Sequence, residues 1–375
     1  MKPVNWYFNR ATLAENYLKS VGLSPIPRIA LLGVRRIGKT AFLLNDIAPK
    51  AIELGFFPVY VNMWANLSAP QEHILNTFND YIDSQKSGIA GSVSELLSSE
   101  VKKLDINLGI IKASVDTSIP AKPVPTSQIE EINHLLKKLV NLAAEKDQRL
   151  LFILDEIQHL NTSEEFLPVQ ACLRTQFDTF EDICVIYAGS SRGGVSAMFN
   201  SDTANFGKKQ LSMPFYNSAS LVDFPCLDEE FVEFYHATLS DKFDLNYSLG
   251  ALTDCFSALD FSPFWFRMLV SELTTNRIPL ADAMAKVNAR IRLDGGLDEI
   301  LAKMTALDII VFVRIYHHQA LYSKNALDEY SEQLKRKVNK GSVQNVVSKL
   351  KKSGVITEAD NKFFIEKVGL YEILK

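Results

Sequence analysis

The sequence predicts an α/β fold in which a parallel sheet is sandwiched by helices, followed by a helical region and a small basic module. Three observations predict it. Strand-length apolar runs, "RIALLG", "FFPVYVNMW", "RLLFILDE" and "EDICVIYAGSS", close on glycine, a polar residue or an acid, as buried parallel strands do. Long amphipathic stretches of helical period separate them, which is the alternation of a doubly wound sheet. From about residue 225 the texture becomes helical, and from 303 the charge changes sign. Residues 303–375 hold 13 Lys+Arg against 8 Asp+Glu, a net of +5. The rest of the chain therefore carries −9, since the total is −4.

The elements follow in order. Residues 1–28 form an N-terminal segment with one amphipathic helix, "ATLAENYLKSVG". "RIALLG" is the first strand, and "KTAFLLNDIAP" a helix expected to stop at Pro49. "FFPVYVNMW" and "SAPQEHILNTFNDYIDSQK" repeat the strand and helix. Residues 86–125 interrupt the pattern. There "KLDINLGIIKASVDTS", with a central Gly109, reads as a hairpin, and "IPAKPVPTS" as a Pro-rich linker. A strongly periodic helix, "SQIEEINHLLKKLVNLAAEKD", leads into the third and fourth strands. The expected division is a sheet-bearing core at 29–224, with the 86–125 insertion, a helical lid at 225–302 and a separate module at 303–375.

Composition narrows the class. At 375 residues two or three domains are expected, and 47% hydrophobic content is that of a globular chain. A net charge of −4 excludes a uniformly basic nucleic-acid coat. The four cysteines fall in no metal-ligand spacing and read as thiols of a reducing compartment. The first residues lack a signal-peptide core, and no apolar run approaches the ~20 residues of a membrane span. A soluble cytoplasmic protein without membrane contact is expected.

The chemistry starts at "GVRRIGKT", residues 33–40, which satisfies G-x-x-x-x-G-K-[ST] between a strand and a helix. This is a phosphate-binding P-loop of NTPase type. Its cofactor-binding residues are Gly33, Val34, Arg35, Arg36, Ile37, Gly38, Lys39, Thr40 and Ala41. Backbone N–H groups and the helix N-terminus suit a polyphosphate. Lys39 suits the β- and γ-phosphates and Thr40 a Mg²⁺ ion. "LLFILDE" closes a strand on two acids. Asp155 is expected in the Mg²⁺ shell and Glu156 as the general base that activates water. The spacing leaves room for at least one strand between the two motifs. The fourth strand ends "AGSSRGG", so Ser190 or Ser191 is a candidate γ-phosphate sensor. Arg192 and Arg174 are candidate arginine fingers, in cis or from a neighbouring subunit. No guanine-reading N-K-x-D loop lies in the nucleotide-binding part, so ATP is the expected nucleotide.

Taken together, "LLGVRRIGKTAFLLNDIAP", "VYVNMW", "FILDEIQHL", "CLRTQFD", "YAGSSRGGVSAMF" and "PFYNSASLVDFPCL" resemble the archaeal-type ATPase group of ATP-binding proteins, close to the STAND and AAA+ ATPases. The resemblance covers roughly residues 6–270. It implies an ATPase core, a helical lid and often a winged helix, with self-assembly on ATP binding. The group's loop reads G-x-R-R-x-G-K-[ST], which accounts for Arg35 and Arg36. Physically these two arginines suit phosphate charge, an acidic partner surface or an acid of the protein itself. Asn9 and Arg10 look like the short motif that the group carries before the loop. Pro263 and Arg267, in "DFSPFWFRM", look like its lid turn, with Ser262 where glycine is usual; Pro263 is then expected to flank adenine and Arg267 to act as a second sensor.

Residues 303–375 read as three helices and a terminal hairpin, and resemble a winged helix-turn-helix domain. In the third helix Val343, Val346, Val347 and Leu350 form the core face, and Gly354 ends it. Ser342, Gln344, Asn345, Lys349 and Lys352 lie off that face as candidate DNA contacts. Protein contact through the same module is the alternative.

Overall fold

The computed structural model describes residues 4–86, 92–109, 120–206, 209–359 and 362–374. Contacts divide the chain into two units. One holds residues 9–33 and 38–225; the other holds residues 1–8, 34–37 and 226–375.

In the first unit, α1 (Ala11–Leu23) leads to β1 (Arg28–Leu32), all five of whose residues are buried. The loop after β1 opens a helix of three consecutive pieces, α2 (Lys39–Phe42), a π turn at Leu43–Ile47 and α3 (Ala48–Glu53). Pro49 therefore does not stop the helix, as its sequence suggested. It sits in the first turn of α3, where the preceding π turn has already shifted the hydrogen-bond pattern and its missing N–H costs least. Next come β2 (Phe56–Asn62), α4 (Pro70–Lys86), α5 (Ser92–Gly109), α6 (Thr126–Glu145), β3 (Arg149–Asp155), α7 (Leu167–Thr179), β4 (Cys184–Ala188) and α8 (Arg192–Asn200). A hairpin of β5 (Thr203–Phe206) and β6 (Lys209–Ser212) precedes β7 (Ser220–Asp223).

The hairpin expected within 86–125 is corrected in part. Residues 103–109 continue α5 as helix. The seeming alternation of "KLDINLG" also fits a helical period, which short runs cannot exclude. The rest of that expected hairpin, 110–118, lies outside the described residues.

The sheet order is β2-β3-β4-β1-β7, parallel throughout. Strand β4 thus lies between β1, which precedes the phosphate loop, and β3, which ends on the paired acids. The edge strand β7 carries no long apolar run, which is why its sequence gives little strand signal. Buried Phe57, Val59 and Val61 of β2, Phe152 and Leu154 of β3, and Ile132, Leu136 and Leu139 of α6 fill one core. The rings of Phe78, Phe152 and Phe177 follow one another at 5.5 and 5.3 Å within it. A core packed this closely fixes where each strand ends, and the site residues stand at those ends.

The second unit contains α9 (Glu229–Phe243), α10 (Leu249–Ala258), α11 (Pro263–Asn276), α12 (Leu280–Gly295), α13 (Leu297–Ala302), α14 (Ala306–Tyr316), α15 (Lys324–Leu334) and α16 (Lys340–Lys352). The antiparallel pair β8 (Ile356–Ala359) and β9 (Lys362–Ile365) and a last turn, α17 (Leu370–Leu374), complete it. Its core joins Phe231, Tyr235, Phe256, Trp265 and Phe266 to Val311, Phe312 and the buried face of α16. Trp6, near the N-terminus, stacks on Tyr235 at 5.3 Å and accepts that phenol's hydrogen bond on its carbonyl. Val343, Val346, Val347 and Leu350 are buried, and Gly354, at φ 64°, follows the end of α16. Among the described residues no helix is long and apolar enough to cross a membrane.

Candidate phosphate-binding and hydrolytic site

The site is built at the carboxyl ends of β1, β3 and β4. Gly38 caps α2 with φ 94°, a conformation open to glycine at little cost, and the chain turns there into the helix. Lys39 is buried, and its ammonium donates to the Gly33 carbonyl across the loop at 2.6 Å. Thr40 follows, and its hydroxyl donates to Asp155 Oδ2 at 2.7 Å. Two motifs 115 residues apart in sequence thus meet through one hydrogen bond.

Asp155 ends β3 and is buried. Besides Thr40 it accepts from the Tyr60 phenol at 3.1 Å on Oδ2 and from the Glu156 backbone N–H at 2.9 Å on Oδ1. Burial, and then the charge of Glu156, push its carboxyl up to about 6, against the opposing pull of these three hydrogen bonds. The Tyr60 phenol is in turn held well above its ordinary range by burial and by Asp155.

Two hard oxygens, the hydroxyl of Thr40 and the carboxylate of Asp155, thus converge beside a phosphate loop. A buried carboxylate with raised proton affinity is the ligand that a cation relieves. No group of three or more His, Cys, Asp or Glu is gathered among the described residues. The oxygen donor pair of Thr40 and Asp155 fits Mg²⁺, a hard cation that keeps several waters and takes phosphate oxygens beside one or two protein ligands.

Glu156 has left-handed backbone, φ 54°, immediately after the strand, and its carbonyl accepts from His159 N–H in the 3-10 turn that follows. Its Oε2 accepts from Ser190 N–H at 3.2 Å, from the Ser190 hydroxyl at 2.7 Å and from Gln158 Nε2 at 2.5 Å. The two serines after β4 are therefore not equivalent. Ser190 faces Glu156, whereas Ser191 caps α8 by accepting from Gly194 N–H at 3.1 Å.

The arginines separate as well. Arg192 is buried and paired with Asp223 at the end of β7. Arg174 pairs with Asp178 at 2.5 Å, and Asp178 also accepts from Arg28 at the start of β1. That places Arg174 toward the opposite end of the sheet from the phosphate loop, so the structure corrects it as a finger acting in cis. Asn9 accepts from Ala11 N–H at 2.8 Å. Arg10 lies over Phe42 and Phe224, at 4.9 and 4.4 Å, and donates to the Pro225 carbonyl at 3.2 Å.

Residues 34–37 belong to the second unit. Arg36 has φ 67°, and its guanidinium donates to Asp294 at 2.6 Å. It also lies over the rings of Phe264 and Trp265, at 4.6 and 4.7 Å, while its carbonyl accepts from Ser262 Oγ at 3.3 Å. Of the roles open to the arginine pair, Arg36 thus pairs with an acid of its own chain, with aromatic faces on which a planar guanidinium stacks. Ser262, directly before α11, supplies one of those contacts. Pro263 is buried in the first turn of α11, and Arg267 is half-buried further along it.

The candidate DNA contacts on α16 also divide. Lys349 donates to the buried Asp308 at 2.5 Å and to the Lys303 carbonyl at 2.7 Å. Asp308 is the N3 residue of a capping box with Thr305 at the start of α14. Lys349 is therefore a brace between helices and not a free cation for phosphate, which corrects that expectation. Ser342 N–H and hydroxyl both donate to the Asn339 cap. Gln344, Asn345 and Lys352 are exposed.

Two residues of the site were not found by sequence reasoning. Tyr60 looked like one more apolar position of β2. Gln158 stands two residues after the acid pair, where a polar residue on a short 3-10 turn gives no periodic signal.

No family model matches the chain, and no curated protein matches it by sequence. Solved structures match by fold. The Walker-type ATPase PABY2304 of Pyrococcus abyssi is similar over 98% of this chain and 96% of its own, with a TM-score of 0.60 and 17% identity. The Aeropyrum pernix ORC2 protein, solved in ADPNP–ADP complexes, is similar over 97% of this chain and 91% of its own, at a TM-score of 0.44 and 15% identity. The Aeropyrum pernix ORC1 protein in complex with DNA is similar over 97% and 90%, at 0.43 and 14%. At these identities the likeness is one of fold. Sheet order, parallel sense and the loop after β1 are those of a P-loop NTPase, here followed by a mainly helical C-terminal region.

Proposed function

We propose that the chain is an ATPase in which water attacks the γ-phosphate of ATP and nucleotide state drives a switch in assembly. One observation carries the reading: Thr40 Oγ1 lies 2.7 Å from Asp155 Oδ2, with Glu156 next in sequence, so loop and acid pair form one site. Lys39 already reaches across the loop, and exchanging the Gly33 carbonyl for phosphate oxygens asks only a local movement of its ammonium. Thr40 and Asp155 would hold Mg²⁺, which when bound neutralises phosphate charge. Glu156 accepts the proton of the attacking water through its second oxygen, Oε1. Ser190 joins that base to the end of β4. Arg192, paired here with Asp223, is in this reading a candidate arginine finger in cis or from a neighbouring copy, and Arg174 one from a neighbouring copy. Self-assembly on ATP binding, a cytoplasmic setting, a lid at 225–302 and nucleotide contacts from Asn9, Arg10, Arg35, Pro263 and Arg267 belong to the same proposal.

Turnover and binding in three proteins test it. Wild type hydrolyses ATP; Lys39→Ala neither binds nor hydrolyses it; Glu156→Gln binds it and turns it over only at a small residual rate. Equal turnover in all three would sink the proposal.

A second reading concerns DNA. The order of α14, α15, α16 and the β8–β9 pair supports a winged helix, and α16 exposes Gln344, Asn345 and Lys352. In that reading ATP controls loading onto DNA, and residues 303–375 carry the contact; a protein partner on the same face is the competing outcome.

A further inference from the structure

The structure assigns Gln158 as the residue that positions the general base. The assignment rests on the ATPase reading of Glu156 and adds to it a role for Gln158, two residues further along the same stretch "FILDEIQHL".

The argument is geometric. Gln158 is buried, on the 3-10 turn Ile157–Asn161 directly after the acid pair. Its Nε2 donates to Glu156 Oε2 at 2.5 Å and lies 3.4 Å from Ser190 Oγ. The amide can face the carboxylate only with its NH₂ group, because its oxygen would set two acceptors against each other. Its own Oε1 is buried with no hydrogen-bond partner among the described residues. A buried amide that leaves one side unsatisfied is kept there by what the other side does.

The backbone around it has been cleared to make room. A Cβ on Gly189 would come within 2.0 Å of Gln158 Oε1 and 2.5 Å of Val195 Cγ2. A Cβ on Gly194 would meet Ser191 Oγ at 3.0 Å and Gln158 Cβ at 3.1 Å. Both glycines lie in "AGSSRGG", and Gln158 enters the space that each of them leaves, beside Val195 at the first and Ser191 at the second.

The consequence falls on Glu156. Three N–H and O–H donors converge on its Oε2, more than that oxygen has lone pairs to receive well. Oε2 is thereby fixed, and Oε1 becomes the oxygen that receives the proton of water. A glutamate on left-handed backbone at a strand end has free χ angles unless something holds them. Ser190 approaches from β4, and Gln158 closes the arrangement from the other side. Misplacing a reacting group by about 1 Å costs roughly 100-fold in rate. Loss of one of three tethers is therefore expected to cost about 10- to 100-fold in kcat.

The test is a double-mutant cycle read in kcat, KM and thermal stability. Gln158→Leu should lower kcat about 10- to 100-fold with KM and ATP affinity within about twofold. In a Glu156→Gln background the same change should leave the residual rate unaltered, because the base it positions is gone. Gly189→Ala approaches the same side chain from β4 and should reproduce the kcat loss. Gln158→Glu, of equal shape but with an acceptor against the carboxylate, should lose at least as much as Gln158→Leu. An equal fall in both backgrounds, a change confined to KM, or wild-type kcat in Gln158→Leu overturns the inference while wild type and Lys39→Ala still differ. If wild type and Lys39→Ala hydrolyse ATP alike, the ATPase reading fails first and takes this assignment with it.

Discussion

Tyr60→Phe deletes one oxygen from the site and gives an effect whose size depends on pH. The phenol donates to Asp155 Oδ2 at 3.1 Å in buried surroundings. Asp155 has a folded value of about 6 against an ordinary value of 3.8. Between those values the folded chain binds more protons than the unfolded one. The Asp155 contribution is thus most favourable below about 3.8 and is lost as pH rises through about 6. The Tyr60 bond offsets part of that loss, because it favours the ionised form. A hydrogen bond to a charged group contributes about 1.5–3 kcal/mol, and one to a neutral partner about 0.5–1.5 kcal/mol. At roughly 2–4 °C per kcal/mol for a unit of this size, Tyr60→Phe should lower Tm by roughly 3–12 °C at pH 7.5. At pH 5, with Asp155 mostly protonated, the drop should shrink to about half or less. Differential scanning calorimetry of both proteins at the two pH values, in chelator, is the assay. A drop of the same size at pH 5 and pH 7.5 would refute the reasoning, since the phenol would then not be sensing the charge of Asp155.

Further outcomes follow from other contacts. Lys349→Ala leaves the buried Asp308 unpaired; since Lys349 is half-exposed, a cost of about 1–2 kcal/mol is expected in chemical denaturation, against less than about 0.5 kcal/mol for Lys352→Ala. Asp294→Ala strips the Arg36 guanidinium of its acid while leaving the rings of Phe264 and Trp265, and should cost about 1–3 kcal/mol in the same measurement. If the C-terminal module contacts DNA, duplex binding should weaken steeply between 50 and 200 mM salt, as about that range does for multiple phosphate contacts, and Lys352→Glu should weaken it further. No shift of duplex DNA at low salt, with or without ATP, would discard that second reading.

Much of the site was legible in the chain because its chemistry is local. "GVRRIGKT" must form a tight loop whose N–H groups face inward, and "FILDE" must end a buried strand on acids, whatever surrounds them. Strands β1 to β4 and the buried face of α16 were legible for the same reason, since their period is set by the backbone. The insertion was misread because a short run such as "KLDINLG" fits both periods, and Pro49 because a π turn makes room for a proline that the sequence alone marks as a stop. What the sequence determined by itself was a phosphate loop, an acid pair and the order in which strands and helices come. Only the tertiary structure decided the partners: Ser190 and not Ser191 on Glu156, Gln158 beside it, Tyr60 on Asp155, Arg36 on Asp294 and Lys349 on Asp308. Those choices depend on which strand ends and which helices lie side by side and on where two glycines leave space, and none of these is a property of any single segment.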